Sequence, residues 1–241
     1  MEDVIRFNEQ WFVAATSSFA DDRTRVLKHN DTFGVFDRHG EISHTGGGAQ
    51  GLYHAGTRHL SLWELKINGR RPVLLNSTVK EDNSFLTVDM TTPDIYKNGT
   101  MVIAKGAIHL FRSVVLWDGA RYEHLRLVNY DDKAVEVELA LSFSADYADI
   151  FEVRGSQRQA RGRDLPVELG ERCITLGYRG LDETLRRTRI SFDFKPEEIR
   201  ANGFRTGLLL EPAKECHLHI TAVCDTDEST SVVAEIGRAH V

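Results

Sequence analysis

The segment Val135–Phe143 constrains the chain most. Val135, Val137, Leu139, Leu141 and Phe143 fill every second position, with Glu136, Glu138, Ala140 and Ser142 between them. Strand side chains alternate between the two faces of a sheet, whereas a helix repeats every 3.6 residues, so this run buries one face only as a β-strand. The period recurs along the chain. Leu86, Val88 and Met90 alternate with Phe85, Thr87 and Asp89, and Trp63, Leu65 and Ile67 share one face of His59–Ile67, which places Trp63 in the core. Asn68-Gly69 follows at once; both residues tolerate positive φ, so the pair predicts a tight hairpin returning through Val73–Val79. Thr32–Asp37 is expected to turn at Arg38-His39-Gly40-Glu41 and return at Ile42. Ala107–Val128 is expected to fold back at Asp118-Gly119. Cys173–Tyr178, Arg187–Phe194, Phe204–Leu210 and Cys216–Cys224 complete the set. Helical periodicity is scarce: Pro196-Glu197-Glu198-Ile199 is expected to open one short turn with Pro in its first position. The expectation is an all-β fold, a large antiparallel β-sandwich of the super-sandwich type with few or no helices, over residues 26–224.

Composition narrows the functional classes. The chain has 241 residues, 41% hydrophobic and 27% charged, with 5 Pro and 19 Gly, which excludes a fibrous or largely disordered polypeptide and supplies enough apolar material for a sizeable core. Thirty Lys plus Arg against 36 Asp plus Glu leave a formal charge of −6, which argues against a nucleic-acid partner. No apolar stretch approaches the ~20 residues of a membrane helix. Glu2, Asp3 and Arg6 precede the short Trp11–Ala15 run, so the order of a signal peptide is missing. A cytoplasmic protein without membrane contact is expected. Cys216 and Cys224 lie in one expected strand, ~26 Å apart and beyond disulfide reach. No CxxC pair exists, so reduced thiols and no metal site are expected. Residues 1–25 read as an extension. Residues 225–241 lose the pattern and read as a linker to a missing domain or a stretch foreign to the sandwich.

Two segments concentrate groups capable of chemistry. Asp146-Tyr147-Ala148-Asp149-Ile150-Phe151-Glu152-Val153-Arg154-Gly155 gathers three carboxylates where a strand enters a loop. Glycoside hydrolysis needs two carboxylates flanking a sugar, but Asp146 and Asp149 also suit turns that accept backbone N–H bonds, and Glu152 suits an ion pair with Arg154 or a neighbouring arginine. Leu52-Tyr53-His54-Ala55-Gly56-Thr57-Arg58-His59 combines an aromatic ring, two histidines, a hydroxyl and a guanidinium, a set able to position a sugar or simply to bond the backbone at the start of a strand. The arginines of Arg154–Arg163 and of Arg186–Arg189 read as solvated or as facing an acidic partner domain. Gly46-Gly47-Gly48 lacks the spacing of a phosphate loop, and no cofactor is expected. His217 and His219 share an outward face without a third ligand nearby in sequence, so they read as surface residues.

Taken together, Leu27–Phe33, Gly51–Ser61, Leu65–Pro72, Asn129-Tyr130, Asp146–Gly155 and Tyr178-Arg179-Gly180-Leu181-Asp182 form an ordered series. The series resembles the N-terminal domain of bacterial glycogen debranching enzyme-like proteins of the amylo-α-1,6-glucosidase type. The resemblance implies a non-catalytic β-sandwich ahead of an (α/α)6 barrel in the same full-length chain, the barrel holding the catalytic acids and acting as the sandwich's partner. No catalytic residue is then expected in this chain, and α-glucan is a possible ligand. The residues expected to face substrate or the barrel are Tyr53, His54, Thr57, Arg58, Trp117, Asp146, Asp149, Glu152 and Arg154. Trp117, beside a hairpin turn, is also the candidate stacking platform of a rival reading, a stand-alone carbohydrate-binding module.

Overall fold

Period-two patterning becomes strand after strand in the computed structural model, which describes residues 4–7, 10–13, 24–43, 48–158 and 160–226. The expected tail after Thr226 and most of the expected N-terminal extension lie outside the described residues. The chain opens with β1 (Val4–Phe7), β2 (Gln10–Val13), β3 (Arg25–His29), β4 (Thr32–Phe36), β5 (Gly51–His54), β6 (Thr57–Leu60) and β7 (Leu62–Ile67). It continues with β8 (Val73–Val79), β9 (Phe85–Thr91), β10 (Ile95–Lys97), β11 (Thr100–Ile103), β12 (Ile108–Trp117), β13 (Ala120–Asn129) and β14 (Val135–Ser144). After helix α1 (Ile150–Val153) come β15 (Arg163–Asp164), β16 (Glu168–Leu169), β17 (Cys173–Arg179), β18 (Leu185–Phe192), β19 (Glu198–Arg200), β20 (Gly203–Leu210) and β21 (Glu215–Thr226).

A nine-stranded sheet runs β15-β17-β18-β21-β13-β12-β9-β8, with β16 also on β17. Two four-stranded sheets, β19-β20-β14-β7 and β3-β4-β5-β6, complete the sandwich, and every named strand pair is antiparallel. β12 packs on β3 and β4, β18 on β6, and β13 on β20. One continuous apolar core fills the space between these sheets. In β14 the five alternate apolar residues are buried, as their spacing predicts, and Trp63 is fully buried beside Phe143. Among the described residues no helix is long and apolar enough to cross a membrane. All three cysteines are free.

Four local expectations give way to tertiary structure. Asn68 and Gly69 do form a tight turn with φ of 49° and 72°, closed by Ile67 and Arg70. Yet β8 pairs with β9 in the nine-stranded sheet and does not return along β7. β14 takes one edge of β7, where Asn68 N donates to the Glu138 carbonyl and Glu138 N to Asn68 Oδ1. On the edge a returning β8 would use, Leu65 N donates to Glu41 Oε1 and Trp63 N to the Ile42 carbonyl, and Pro72 has no N–H to extend a ladder. His59–Ile67 is not one strand: it breaks at Ser61 and passes from one small sheet to the other. Ile42 bridges Trp63 instead of returning onto β4. Of the expected turn Pro196–Ile199, the last two residues instead start β19, where Ile199 packs against the core and Glu198 pairs with Arg205 across the ladder.

The interior also holds charge. Arg112 on β12 and Arg121 and Glu123 on β13 point inward, each fully buried or nearly so, and Glu41 joins them. Arg112 Nε lies 3.0 Å from Glu123 Oε1, and Arg121 pairs with Glu123. The Trp63 indole donates to Glu123 at 2.9 Å, and the Leu65 amide donates to Glu41 at 2.9 Å. The guanidinium of Arg121 sits 4.5 Å from the Trp63 ring centroid. Arg112 also donates to the His39 carbonyl and Arg121 to the Gly40 carbonyl, which fastens the β4 turn to the large sheet. Burial opposes ionisation of Glu123, but Arg112 and Arg121 outweigh it and hold its carboxyl low. For Glu41, burial wins and raises it.

Candidate functional site

Three segments far apart in sequence meet at one end of the sandwich. The start of β6 contributes Thr57, which bridges Asp149 in an isolated antiparallel pair. Arg58 N donates to the Ala148 carbonyl at 2.8 Å and Ile150 N to the Gly56 carbonyl at 3.0 Å, so the turn and the Asp146–Arg154 segment are laced together by backbone. The start of β18 then approaches through Arg186, whose Nε donates to Thr57 Oγ1 at 3.2 Å. Between them lies a cavity of about 200 Å³. Thr57 and Asp149 line one side, Gly180, Leu181, Asp182 and Arg186 another, and Tyr147, Tyr178 and Arg158 the rest.

Its floor is aromatic. Tyr147 and Tyr178 stack with centroids 5.4 Å apart and planes 7° apart. Their hydroxyls are engaged: Tyr147 donates to Thr188 Oγ1 at 3.1 Å, and Tyr178 accepts from Gly162 N at 2.8 Å. Burial pushes the Tyr147 phenol up, so it stays protonated. Behind it, His59 is fully buried with its ring edge-on to Tyr147. Burial holds His59 down to about 3, neutral at physiological pH.

Charge lines the rim in opposed pairs. Arg186 forks onto Asp182, with contacts of 3.1 and 2.8 Å. That fork holds the Asp182 carboxyl well below the carboxylate range and raises Arg186. Arg158 Nε stands 3.1 Å from Glu152 Oε2, and its Nη2 stands 3.7 Å from Asp149. Asp149 is the N-cap of α1: its side chain accepts from Phe151 N at 2.8 Å while Glu152 accepts from Asp149 N at 3.4 Å, a capping box. A permanently ionised Asp182 does not serve as a general acid, which needs its proton retained near neutral pH.

Thr57 and Asp149 are thus the two sequence-predicted residues that line the cavity. Glu152 stands one step back, through Arg158. Arg58 and Asp146 form a bidentate pair behind it, at 3.1 and 2.5 Å, with Arg58 also reaching the Gly48 carbonyl at 2.7 Å. Burial works against the charge of Arg58, and Asp146 more than restores it. Tyr53 is 2% exposed, stacked on Phe33 and donating to the Ala49 carbonyl. His54 turns to Thr32 at 2.8 Å, and Arg154 is exposed at the C-cap of α1. Trp117 is 54% exposed on another hairpin, its ring 4.2 Å from that of His29. Sequence reasoning passed over Arg158 and Arg186 as members of solvated clusters. Their signal was the neighbouring Tyr178–Asp182 segment, already singled out.

On the outer face of the large sheet His124 joins His217 and His219, with ring centroids 5.2 and 4.6 Å away. Asp193 accepts from the backbone N–H of His219 and lies 2.8 Å from its Nδ1, while Glu215 lies 3.1 Å from Nε2 of His217. Among the described residues, no group of three or more His, Cys, Asp or Glu is arranged to hold a metal ion.

Comparison with known proteins bears on this geometry. A family model described as the N-terminal domain of (some) glycogen debranching enzymes matches residues 27–221. No curated protein matches the chain in sequence. Among solved structures, a chain named as a kojibiose phosphorylase from the human microbiome superposes with a TM-score of 0.50 at 12% identity, covering 71% of this chain. The match spans only 23% of that longer chain. The Slr1438 protein from Synechocystis sp. PCC 6803 superposes with a TM-score of 0.50 at 11% identity, covering 88% of this chain and 99% of its own. At such identities the likeness is one of fold.

Proposed function

Because this chain belongs to the family of N-terminal domains of glycogen debranching enzymes, we propose that it is the non-catalytic β-sandwich of a cytoplasmic, amylo-α-1,6-glucosidase-type glycoside hydrolase. In this reading it braces an (α/α)6 catalytic barrel in the same full-length chain, and its loops shape the approach of α-glucan to that barrel. The observation that carries the reading is convergence. Three of the segments that resemble the family, Gly51–Ser61, Asp146–Gly155 and Tyr178–Asp182, are scattered over more than half of the chain and build one cavity. Loops positioned by a rigid scaffold are where recognition concentrates. The rim is read as built for positioning. Its acids are tied to arginine or to backbone N–H.

The test is made in the full-length protein. Asp149→Ala combined with Glu152→Ala is expected to lower turnover of a branched dextrin, and to lower the thermal midpoint through loss of the capping box. Turnover and midpoint both equal to wild type would sink the reading. Release of glucose from the same dextrin by the 241-residue chain alone would replace it with a self-sufficient enzyme.

A further inference from the structure

We propose that the cavity beside Tyr147 and Tyr178 is a subsite for one neutral pyranosyl unit, the end residue of an α-glucan, held by the Asp182–Arg186 pair. The assignment to glucan rests on the function proposed above; the size and charge of the cavity stand without it.

Size comes first. About 200 Å³ equals roughly seven waters at ~30 Å³ each, room for a single sugar ring and too little for a coil of glucan. Charge comes second. The lining carries two arginines, Arg158 and Arg186, and two aspartates, Asp149 and Asp182, so it has no formal excess of either sign. An anion would need a surplus of cationic donors and a cation a surplus of carboxylates. A balanced lining selects a ligand that is polar and uncharged.

The third observation is what the pair leaves unused. Arg186 has five N–H groups. One goes to Thr57, one to each oxygen of Asp182 and one to the Thr184 carbonyl, which leaves a single N–H on Nη2. Oδ1 of Asp182 accepts from Arg186 and from the Thr184 amide and Oδ2 from Arg186, and the Thr184 side chain also bonds the carboxylate. A free N–H on Nη2 therefore stands 2.8 Å from Oδ2 of a carboxylate that is half exposed. Two neighbouring hydroxyls of a pyranose fit this pair: one accepts from Nη2–H and the other donates to Oδ2. Such bonds are charge-assisted, the stronger kind. Exposed Leu181 offers apolar surface to the C–H face of the ring.

The probe is methyl α-glucoside, added to the 241-residue chain and followed by saturation-transfer NMR and calorimetry. A dissociation constant on the order of millimolar is expected for so small a ligand. Asp182→Asn is expected to weaken binding about tenfold or more through loss of a charged acceptor. Gly180→Ala gives a second variant that leaves the core alone: its methyl would fall 2.2 Å from Asp182 Oδ1 and 2.6 Å from Arg186 Nη1, prising the pair apart. Arg205→Gln, on the β20 ladder, is expected to bind as wild type. No transfer to the folded chain would overturn the subsite, as would binding that survives both substitutions, or displacement by inorganic phosphate or glucuronate in preference to glucoside. Equal affinity for methyl β-galactoside would overturn the glucan assignment. The bracing role is read separately, as turnover of the full-length protein, so its failure and the failure of this subsite are told apart.

Discussion

Arginine meets carboxylate in two settings here, and the surroundings decide what each meeting does. In the core, Arg112 and Arg121 are 0% exposed and share Glu123, with Trp63 closing the remaining side. At the cavity, the Arg186 side chain is 19% exposed and that of Asp182 53%, and the pair keeps an open edge. Desolvation makes the buried set expensive to assemble and far more expensive to break, because a removed partner strands a charge in a low-dielectric interior. At the rim, water replaces whatever is lost, and the net contribution of such a pair is small. The first arrangement specifies how the sheets meet; the second leaves donors and acceptors free for a ligand.

The sharpest way to break that comparison is Glu123→Gln. It strands two buried guanidinium groups, and the expected cost is about 3–5 kcal/mol. Asp182→Asn, by contrast, is expected to cost no more than about 1 kcal/mol. Urea unfolding of both variants beside wild type checks this through the midpoints. Equal losses would mean that the core network is no more committed to the fold than the rim.

Acid separates the two regions next. His59 is held at about 3 by burial, and His39, in the turn fastened by Arg112, at about 4 by burial and by the charge of Arg71. Both folded values lie below the unfolded one of 6.5, so the unfolded chain binds the extra protons. The stability contributed is then complete above pH 6.5 and drains away as pH falls toward 4. For fully buried His59 the linkage amounts to roughly 3 kcal/mol across that window. Asp182 is also depressed, but its contribution is lost only below the ordinary carboxylate range. The thermal midpoint is therefore expected to fall between pH 6.5 and 4.5 in wild type, and His59→Gln to flatten that slope. A flat wild-type profile would contradict the assignment of His59 as a buried neutral residue.

Much of this was legible in the chain. The alternation of β9, β12, β13, β14 and β21 marks the buried face residue by residue. It even places Arg112, Arg121 and Glu123 in phase with Leu110, Val114, Leu125 and Leu127. A charge on the inward phase of two successive strands was the available sign of the buried network, passed over because charge is ordinarily read as outward. What alternation cannot show is partner choice. Asn68-Gly69 specifies a turn but not which sheet receives β8, since Glu41 and Ile42 occupy the β7 edge along which it would return. Helix α1 is four residues long, too short for a period to register, and Asp149 and Glu152, which form its capping box, read in the sequence only as a turn acid and an ion-pair partner. The cavity was half legible: its segments stood out by resemblance, but their meeting depends on β18 packing against β6, fixed by His59 and Thr188 more than a hundred residues apart.

The finest distinction at the rim is between cap and charge at Asp149, which touches both α1 and Arg158. Asp149→Ala removes both roles and is expected to cost about 1 kcal/mol, the usual value of an N-cap. Asp149→Asn keeps an oxygen for the Phe151 amide and loses only the charge facing Arg158 at 3.7 Å, so a few tenths of a kcal/mol is expected. Chemical denaturation of the two variants measures the split directly. If Asn proves as costly as Ala, the charge facing Arg158 matters more than the cap, and the rim then resembles the core network more closely than its exposure implies. If Asn is nearly silent, the backbone of α1 holds the loop in place, and the ionic edge of the cavity stays uncommitted until something binds.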